Sequence, residues 1–488
     1  MARERAESWR SSTNSESARS LNWLTNSRRR AGALARIGAC ALIFCLPARC
    51  AGAQQLDSAS PSTPPSWSLE GHLTDGAAWR ARVPAHWNGT LLLYSHGYAP
   101  ELGPPQLAPR GLENWLIAQG YALGASSYAR AGWAVAEAIP DQRALLEVFR
   151  IQVAKPHRTF AWGDSMGGLV TTALAESAEV PIDGAVSACG SIAGTLAMMN
   201  TALDGAFTFV TLQAPEAGIR LDQVGDDRAN TARVAPVVAH ALDSPAGRAH
   251  VALAGVLGGL PTWTEPSVPQ PLPDAYEQQL DQMAKAFGAG LFPPRVDQER
   301  RAGGSLSWNN GVDYRAALKQ TGRWQWVEYF YRKAHLNLER DLERLNATPR
   351  LNAQHGAVDY MRSYYAPSAA PHVPLLSIHT LGDGLTSEIF QSGYARAVSR
   401  GAAAGRYRAA SVAAAGHCSF SPAEYIAALK TVELRVQEGR WSTSPEALNA
   451  RAEASGLGAG RYVAHHAAPL LRACWSTESR CQGEPAAH

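Results

Sequence analysis

Ser165 lies in the run Gly163-Asp164-Ser165-Met166-Gly167-Gly168, with one glycine two residues before it and another two residues after. That spacing suits a strand-to-helix turn so sharp that side chains at the flanking positions would collide, and such a turn holds the serine Oγ clear of a sheet. A serine hydroxyl is a poor nucleophile until a base takes its proton, so the run calls for an acid and then a histidine downstream. Asp383, in Thr380-Leu-Gly-Asp-Gly-Leu385, is the candidate acid, and His417, in Ala415-Gly-His-Cys418, is the candidate base. Glu388 and Asp359 are the substitutes for the acid, and His465 and His466 for the base. Attack on a carbonyl also creates an oxyanion that needs hydrogen-bond donors. The backbone N–H of Met166 supplies one, and His96-Gly97-Tyr98 is expected to supply the second through Tyr98, with Gly97 allowing the close approach.

These residues can meet only if strands deliver them to one edge of a sheet. Thr90-Leu-Leu-Leu-Tyr-Ser95 is a continuous apolar run of strand length leading into His96, as in a strand buried on both faces. Residues 121–126, 159–162, 184–188, 373–378 and 407–412 read as further strands, and 67–73 and 79–83 alternate as strands do. Helices are expected over 111–119, over 141–153 through Leu145, Val148, Phe149 and Val153, after Ser165, and from near Ser421-Pro422. The alternation predicts an α/β fold, a mostly parallel central sheet with helices on both faces. Ser165, Asp383 and His417 each follow a strand, at the C-terminal end where open parallel sheets build their sites.

Composition removes some functions and bounds others. Lys+Arg 45 against Asp+Glu 42 leaves a net charge of +3, too little field to hold nucleic acid. A hydrophobic fraction of 46% over 488 residues allows a sizeable core. Near the N-terminus, Arg28, Arg29, Arg30 and Arg36 precede an apolar run from Ile37 to Leu46, and Ala51-Gly52-Ala53 follows. This pattern reads as a secretory signal peptide with the mature chain starting near Gln54, and the run is about half the ~20 residues that a membrane span needs. Arg49 sits where a lipoprotein signal wants a small residue before its cysteine, so Cys50 makes a poor lipidation site. The expected location is therefore secreted or periplasmic, with no membrane span after signal removal. Cys40, Cys45 and Cys50 leave with the signal, so Cys189, Cys418, Cys474 and Cys481 remain. Two disulfides are possible in an oxidising compartment, Cys474–Cys481 with Cys189–Cys418 among three connectivities; four free thiols are the alternative.

Together these residues resemble the α/β-hydrolase superfamily over about Trp67 to Val432, and Gly-Asp-Ser-Met-Gly-Gly is similar to the elbow of lipases and carboxylesterases. The resemblance implies a Ser165, Asp383, His417 triad, an oxyanion hole as placed above, no metal and no organic cofactor. The pair His417-Cys418 resembles the tannase and feruloyl esterase group, in which a cysteine after the histidine is bonded to one just before the serine. Here Asp164 occupies that earlier position, which leaves Cys189 as the alternative partner.

The stretch between Cys189 and Val373 exceeds what a strand connection needs, so a large, mainly helical cap is expected over 195–370. Within it, Arg323 to Leu345 carries Trp324, Val327, Tyr331, Ala334, Leu338, Leu342 and Leu345 at the spacing of one amphipathic helix. The organisation read from the chain is an extension and signal peptide at 1–53, a linker at 54–66, core at 67–194, cap at 195–370, core again at 371–440, and a C-terminal extension at 441–488. The expected activity is hydrolysis of a small-molecule or oligomeric carboxylic ester through an acyl-enzyme. A proline-releasing serine aminopeptidase is the second reading, with Glu328, Glu339, Asp341 and Glu343 as cap carboxylates for a substrate amine, and a non-catalytic binding protein on the same scaffold is the third.

Overall fold

The computed structural model describes residues 65–484, so the signal peptide, Cys40, Cys45, Cys50 and nearly all of the 54–66 linker lie outside the described residues. Nine strands form one sheet: β1 (Ser66–His72), β2 (Ala78–Pro84), β3 (Thr90–Ser95), β4 (Ala122–Ser126), β5 (Arg158–Asp164), β6 (Gly184–Ala188), β7 (Leu375–Gly382), β8 (Tyr407–Ala415) and β9 (Tyr462–Val463). Their order is β1-β2-β4-β3-β5-β6-β7-β8-β9. The strands from β3 to β8 pair in parallel, while β1, β2 and β9 join antiparallel at the two edges. The chain steps outward from β3 to β4 and then returns to the other side of β3 with β5. Connections on either side of that reversal diverge and leave a crevice at the strands' C-terminal ends, the place where such sheets bind ligands.

Before the insertion lie α1 (Glu113–Ala118), α2 (Val135–Gln152) and α3 (Met166–Glu176). The insertion between β6 and β7 is all helix and loop: α4 (Thr195–Gln213), α5 (Asp227–Leu242), α6 (Pro245–Leu257), α7 (Tyr276–Lys285), α8 (Phe287–Leu291), α9 (Val296–Ala302), α10 (Tyr314–Gln320), α11 (Trp324–Lys333), α12 (Leu338–Ala347) and α13 (His355–Tyr365). After β7 come α14 (Ile389–Ser399), α15 (Pro422–Glu438) and α16 (Pro445–Ala454).

Alternation along β3 shows how the strands are buried. Leu91 and Leu93 belong to the apolar cluster that holds α2, α3 and α14 on one face, and Leu92 to the one that holds α1, α15 and α16 on the other. Both faces are dry, which is why the strand reads as an unbroken apolar run. The insertion has its own apolar centre around Phe209, Leu253, Phe287, Val327, Phe330 and Leu342. Helix α4 joins the two: Leu196, Met198 and Met199 belong to the sheet's cluster, Phe207 and Phe209 to the insertion's. No helix among the described residues is long and apolar enough to cross a membrane.

Two helix expectations need correction. The single amphipathic helix expected from Arg323 to Leu345 is broken into α11 and α12, because His335 takes a φ of 55°. Asn337 then caps the second piece, its side chain accepting from the Arg340 N–H at 3.0 Å. The apolar stripe runs through the break without registering it, since both halves bury the same kind of face. Helix α2 starts at Val135 rather than Asp141, and its Pro140 is the misleading residue, since proline commonly marks a helix start.

Candidate active site

Ser165 stands between the last residue of β5 and the first of α3, at φ 56° and ψ −122°. A conformation so rarely adopted by L-residues costs on the order of 1–3 kcal/mol and persists only where its surroundings enforce it. Here they do so by crowding: a Cβ on Gly163 or Gly167 would run into the Ser95 carbonyl oxygen. Gly97, after β3, lies against the same turn, so close that a Cβ there would meet Ser165 Cβ at 3.3 Å. The reversal between β3 and β5 thus puts Ser165 and the His96-Gly97-Tyr98 loop side by side.

The structure brings the three distant residues together. His417 Nε2 lies 2.8 Å from Ser165 Oγ, and His417 Nδ1 lies 2.8 Å from Asp383 Oδ2. Asp383 is fully buried, and its Oδ1 accepts the backbone N–H groups of Leu385 and Thr386 at 2.9 Å each. Burial alone would raise its carboxyl, but His417 and His379 beside it hold it well below the carboxylate range. Burial pulls the His417 imidazole down, yet Asp383, with a smaller contribution from Asp164, lifts it above its ordinary 6.5. Met166 N–H and Tyr98 N–H bond to no backbone carbonyl among the described residues, so both stay available as donors.

The serine turn ends β5, the Asp383 loop ends β7 and the His417 loop ends β8, around a sheet with two antiparallel strands at its leading edge. The strand order and the placement of these loops are those of the α/β-hydrolase fold. No protein-family model matches it. It is 29% identical to an o-phthalyl amidase of Xanthobacter agilis over 427 residues, which covers 80% of this chain and 91% of that protein. Among solved structures it is similar to an esterase from Aspergillus oryzae, at 12% identity and a TM-score of 0.36 over 77% of this chain and 80% of that one. It is similar likewise to a Pyrococcus furiosus esterase, at 12% identity and a TM-score of 0.35 over 77% and 91%.

Several neighbours of the site escape a sequence reading. Thr386 Oγ1 lies 2.7 Å from the Cys189 carbonyl oxygen, 3.1 Å from Asp383 Oδ2 and 3.2 Å from His417 Nδ1, so one hydroxyl ties the acid loop to the end of β6. The signal for it is slight: a threonine three residues after an aspartate, the spacing at which an Asp side chain takes backbone N–H groups. Asp164, just before the serine, is half-buried, and its loss of solvent raises its carboxyl to about 6 even though the Tyr94 hydroxyl donates to it at 2.9 Å. His379 Nε2 sits 3.5 Å from Asp383 Oδ2.

Cys189 is bonded to Cys418 and Cys474 to Cys481, with Cα–Cα distances of 5.3 and 5.2 Å. The first bridge fastens the His417 loop to the end of β6, with Cys418 Sγ 3.4 Å from His417 Nε2. Cys189, Cys418 and His417 form the one cluster of metal-ligating types among the described residues, and with both sulfurs in the disulfide it offers no thiolate to an ion. The substitute acids and bases have other partners: Asp359 pairs with His355 at 3.2 Å, Glu388 with His465 at 3.2 Å, and the exposed His466 ring lies 2.9 Å from the His465 carbonyl oxygen.

Proposed function

We propose that the chain is an exported serine hydrolase that cleaves carboxylic acyl bonds through an acyl-enzyme on Ser165. One observation carries the reading: the unbroken hydrogen-bonded series Ser165 Oγ, His417, Asp383, at 2.8 Å for each link. In the reaction His417 takes the serine proton as Oγ attacks the carbonyl carbon, and Asp383 fixes the imidazole tautomer and stabilises the imidazolium. The N–H groups of Met166 and Tyr98 hold the oxyanion, and Gly97 gives them access. His417 returns the proton to the leaving group, and water attacks the acyl-enzyme by the same steps.

The same groups serve an ester or an amide, the latter needing proton delivery to the leaving nitrogen. An ester is the bond expected from the residues, and the similarity to an o-phthalyl amidase adds aryl-acid amides to the substrates worth testing first. The aminopeptidase reading gains little from the insertion's carboxylates: Glu339 and Glu343 pair with Arg315, and Asp341 with His250 and Tyr331, which leaves Glu328 alone of the four for a substrate amine. Export is supported by the basic and apolar N-terminal pattern and by two disulfides, which persist in oxidising compartments.

The test is fluorophosphonate labelling of purified protein beside a Ser165→Ala control, with hydrolysis of a p-nitrophenyl ester and an o-phthalyl monoamide followed in parallel. Labelling and turnover that vanish together in the variant are expected. A well-folded wild-type protein that neither labels nor turns over would overturn the reading and favour a non-catalytic binder.

A further inference from the structure

A cavity of about 370 Å³ opens between the insertion, the acid loop and the C-terminal segment, and none of Ser165, Asp383 and His417 lines it. Much of its wall is apolar, with Val256, Leu257, Leu260, Ile389 and Leu471 among the residues that face it. Three ionisable side chains other than histidine also face it, namely Arg323, Glu388 and Arg472. Two are already satisfied. Arg472 is bound to Asp204 at 2.8 Å, and Glu388 takes the His465 imidazole at 3.2 Å and the Ser411 hydroxyl. Arg323 is different: its guanidinium lies over the Trp326 ring at 4.4 Å and makes no ion pair or side-chain hydrogen bond with any described residue. Burial pushes it down to about 10, and no acid acts in the opposite direction.

A guanidinium is never given up to the neutral form at ordinary pH, and Arg323, half-buried in the cavity wall without a counter-charge, is left under-satisfied. Its planar fork matches a carboxylate, which it binds through two parallel hydrogen bonds. We infer that this cavity is a binding site for a small apolar carboxylate, whose acid group pairs with Arg323 and whose hydrocarbon body packs on the apolar wall. The cavity also touches the acid loop from both ends, through Leu381 before Asp383 and Ser387 after it. An acid bound there therefore stiffens the loop that carries Asp383, whether that acid comes from the protein's own hydrolysis or from elsewhere. The site is distinct from the serine centre and does not rest on the acyl chemistry proposed for it.

Benzoate and its neutral isostere benzamide separate charge from shape. Titrated calorimetrically into the folded Ser165→Ala protein, benzoate is expected to bind saturably and benzamide at least about tenfold more weakly, the effect of one charged hydrogen-bonded partner. Arg323→Gln should abolish the preference for benzoate, and Arg323→Lys should keep part of it. Equal binding of benzoate and benzamide, or undiminished binding of benzoate by a folded Arg323→Gln protein, would overturn the proposal, as would absence of binding altogether. If the Gln variant does not fold, phenylglyoxal modification of the otherwise unsubstituted protein decides, since benzoate must protect the peptide containing Arg323. In the wild-type enzyme, a non-competitive effect of benzoate that is lost in Arg323→Gln is expected, and purely competitive inhibition that survives in Arg323→Gln would place benzoate at the serine centre and overturn the proposal.

Discussion

The charge environment of His417 is the feature most open to measurement at the level of single residues. A base must be neutral to accept the serine proton, and Asp383 and Asp164 both hold this imidazole above its ordinary 6.5. Activity should therefore fall on the acid side at a higher pH than a free histidine would give. Asp164→Asn removes one of the two negative charges, so the acid limb of the kcat/KM profile should move to lower pH with the maximum rate little altered. An unmoved limb would mean that Asp164 is already protonated where His417 titrates. Asp383→Asn leaves space and shape nearly intact but loses the tautomer control, and kcat should drop by about 10⁴-fold. The contact of Ser165, Asp383 and His417 could be anticipated because the proposed chemistry dictates their types and their order along the chain. Those of Thr386, Tyr94 and His379 could not, because a hydroxyl or an imidazole in a strand or loop has many ordinary uses, and only the folded contacts select this one.

Among elements, the informative one is the bridge between the ends of β6 and β8. Cys189 and Cys418 both adopt positive φ, 45° and 52°, so the loop on each side is held away from ordinary backbone geometry. Without the bridge, the loop carrying His417 has its hydrogen bonds and the packing of Phe420 on Tyr425 to fix it. The Cys189→Ser, Cys418→Ser double variant should lose about 2–5 kcal/mol of stability in urea unfolding. Its kcat should fall by roughly 100-fold, since a misplacement near 1 Å costs that much. Retention of full kcat in a destabilised double variant would show that the bridge supports the fold alone. The strands and the serine turn could be read from the chain because apolar runs and glycine spacing are local signals. The break at His335 could not, because the stripe of apolar residues continues on both sides of it and a single histidine at φ 55° leaves no mark in composition. The two disulfide pairings were among those the cysteine count allows, and only the positions of β6 and β8 in the sheet separate them from the others.

The whole molecule depends on how the insertion and the C-terminal segment are joined to the sheet. Residues after 440 place β9 on the sheet's far edge and also send Arg472 into the insertion, where it meets Asp204 of α4 at 2.9 and 2.8 Å. Arg472 also donates to the Trp308 carbonyl oxygen, and Trp308 donates through Nε1 to the Gln482 carbonyl oxygen. Sequence gives no hint of this lock, since its partners lie 268 residues apart. Asp204 is buried, and burial raises its carboxyl even with Arg472 opposing it. Removing Arg472 leaves that charge with only the Tyr314 hydroxyl and the field of Arg350 to offset its burial, and Arg472→Met should cost about 3–5 kcal/mol in urea unfolding near neutral pH. The deficit must depend on pH in a defined direction. An aspartate whose folded-state pKa is raised above its unfolded value contributes most below the unfolded value, and the contribution is lost as pH rises toward the folded one. The variant should therefore lie nearer the wild type at pH 5 than at pH 8. Adding Asp204→Asn to Arg472→Met should recover much of the loss at pH 8 and flatten the dependence, because no charge then remains to be buried. A pH-independent deficit, or a double variant no more stable than the single one, would show that Arg472 acts by packing and by its bond to Trp308, with the ion pair contributing little.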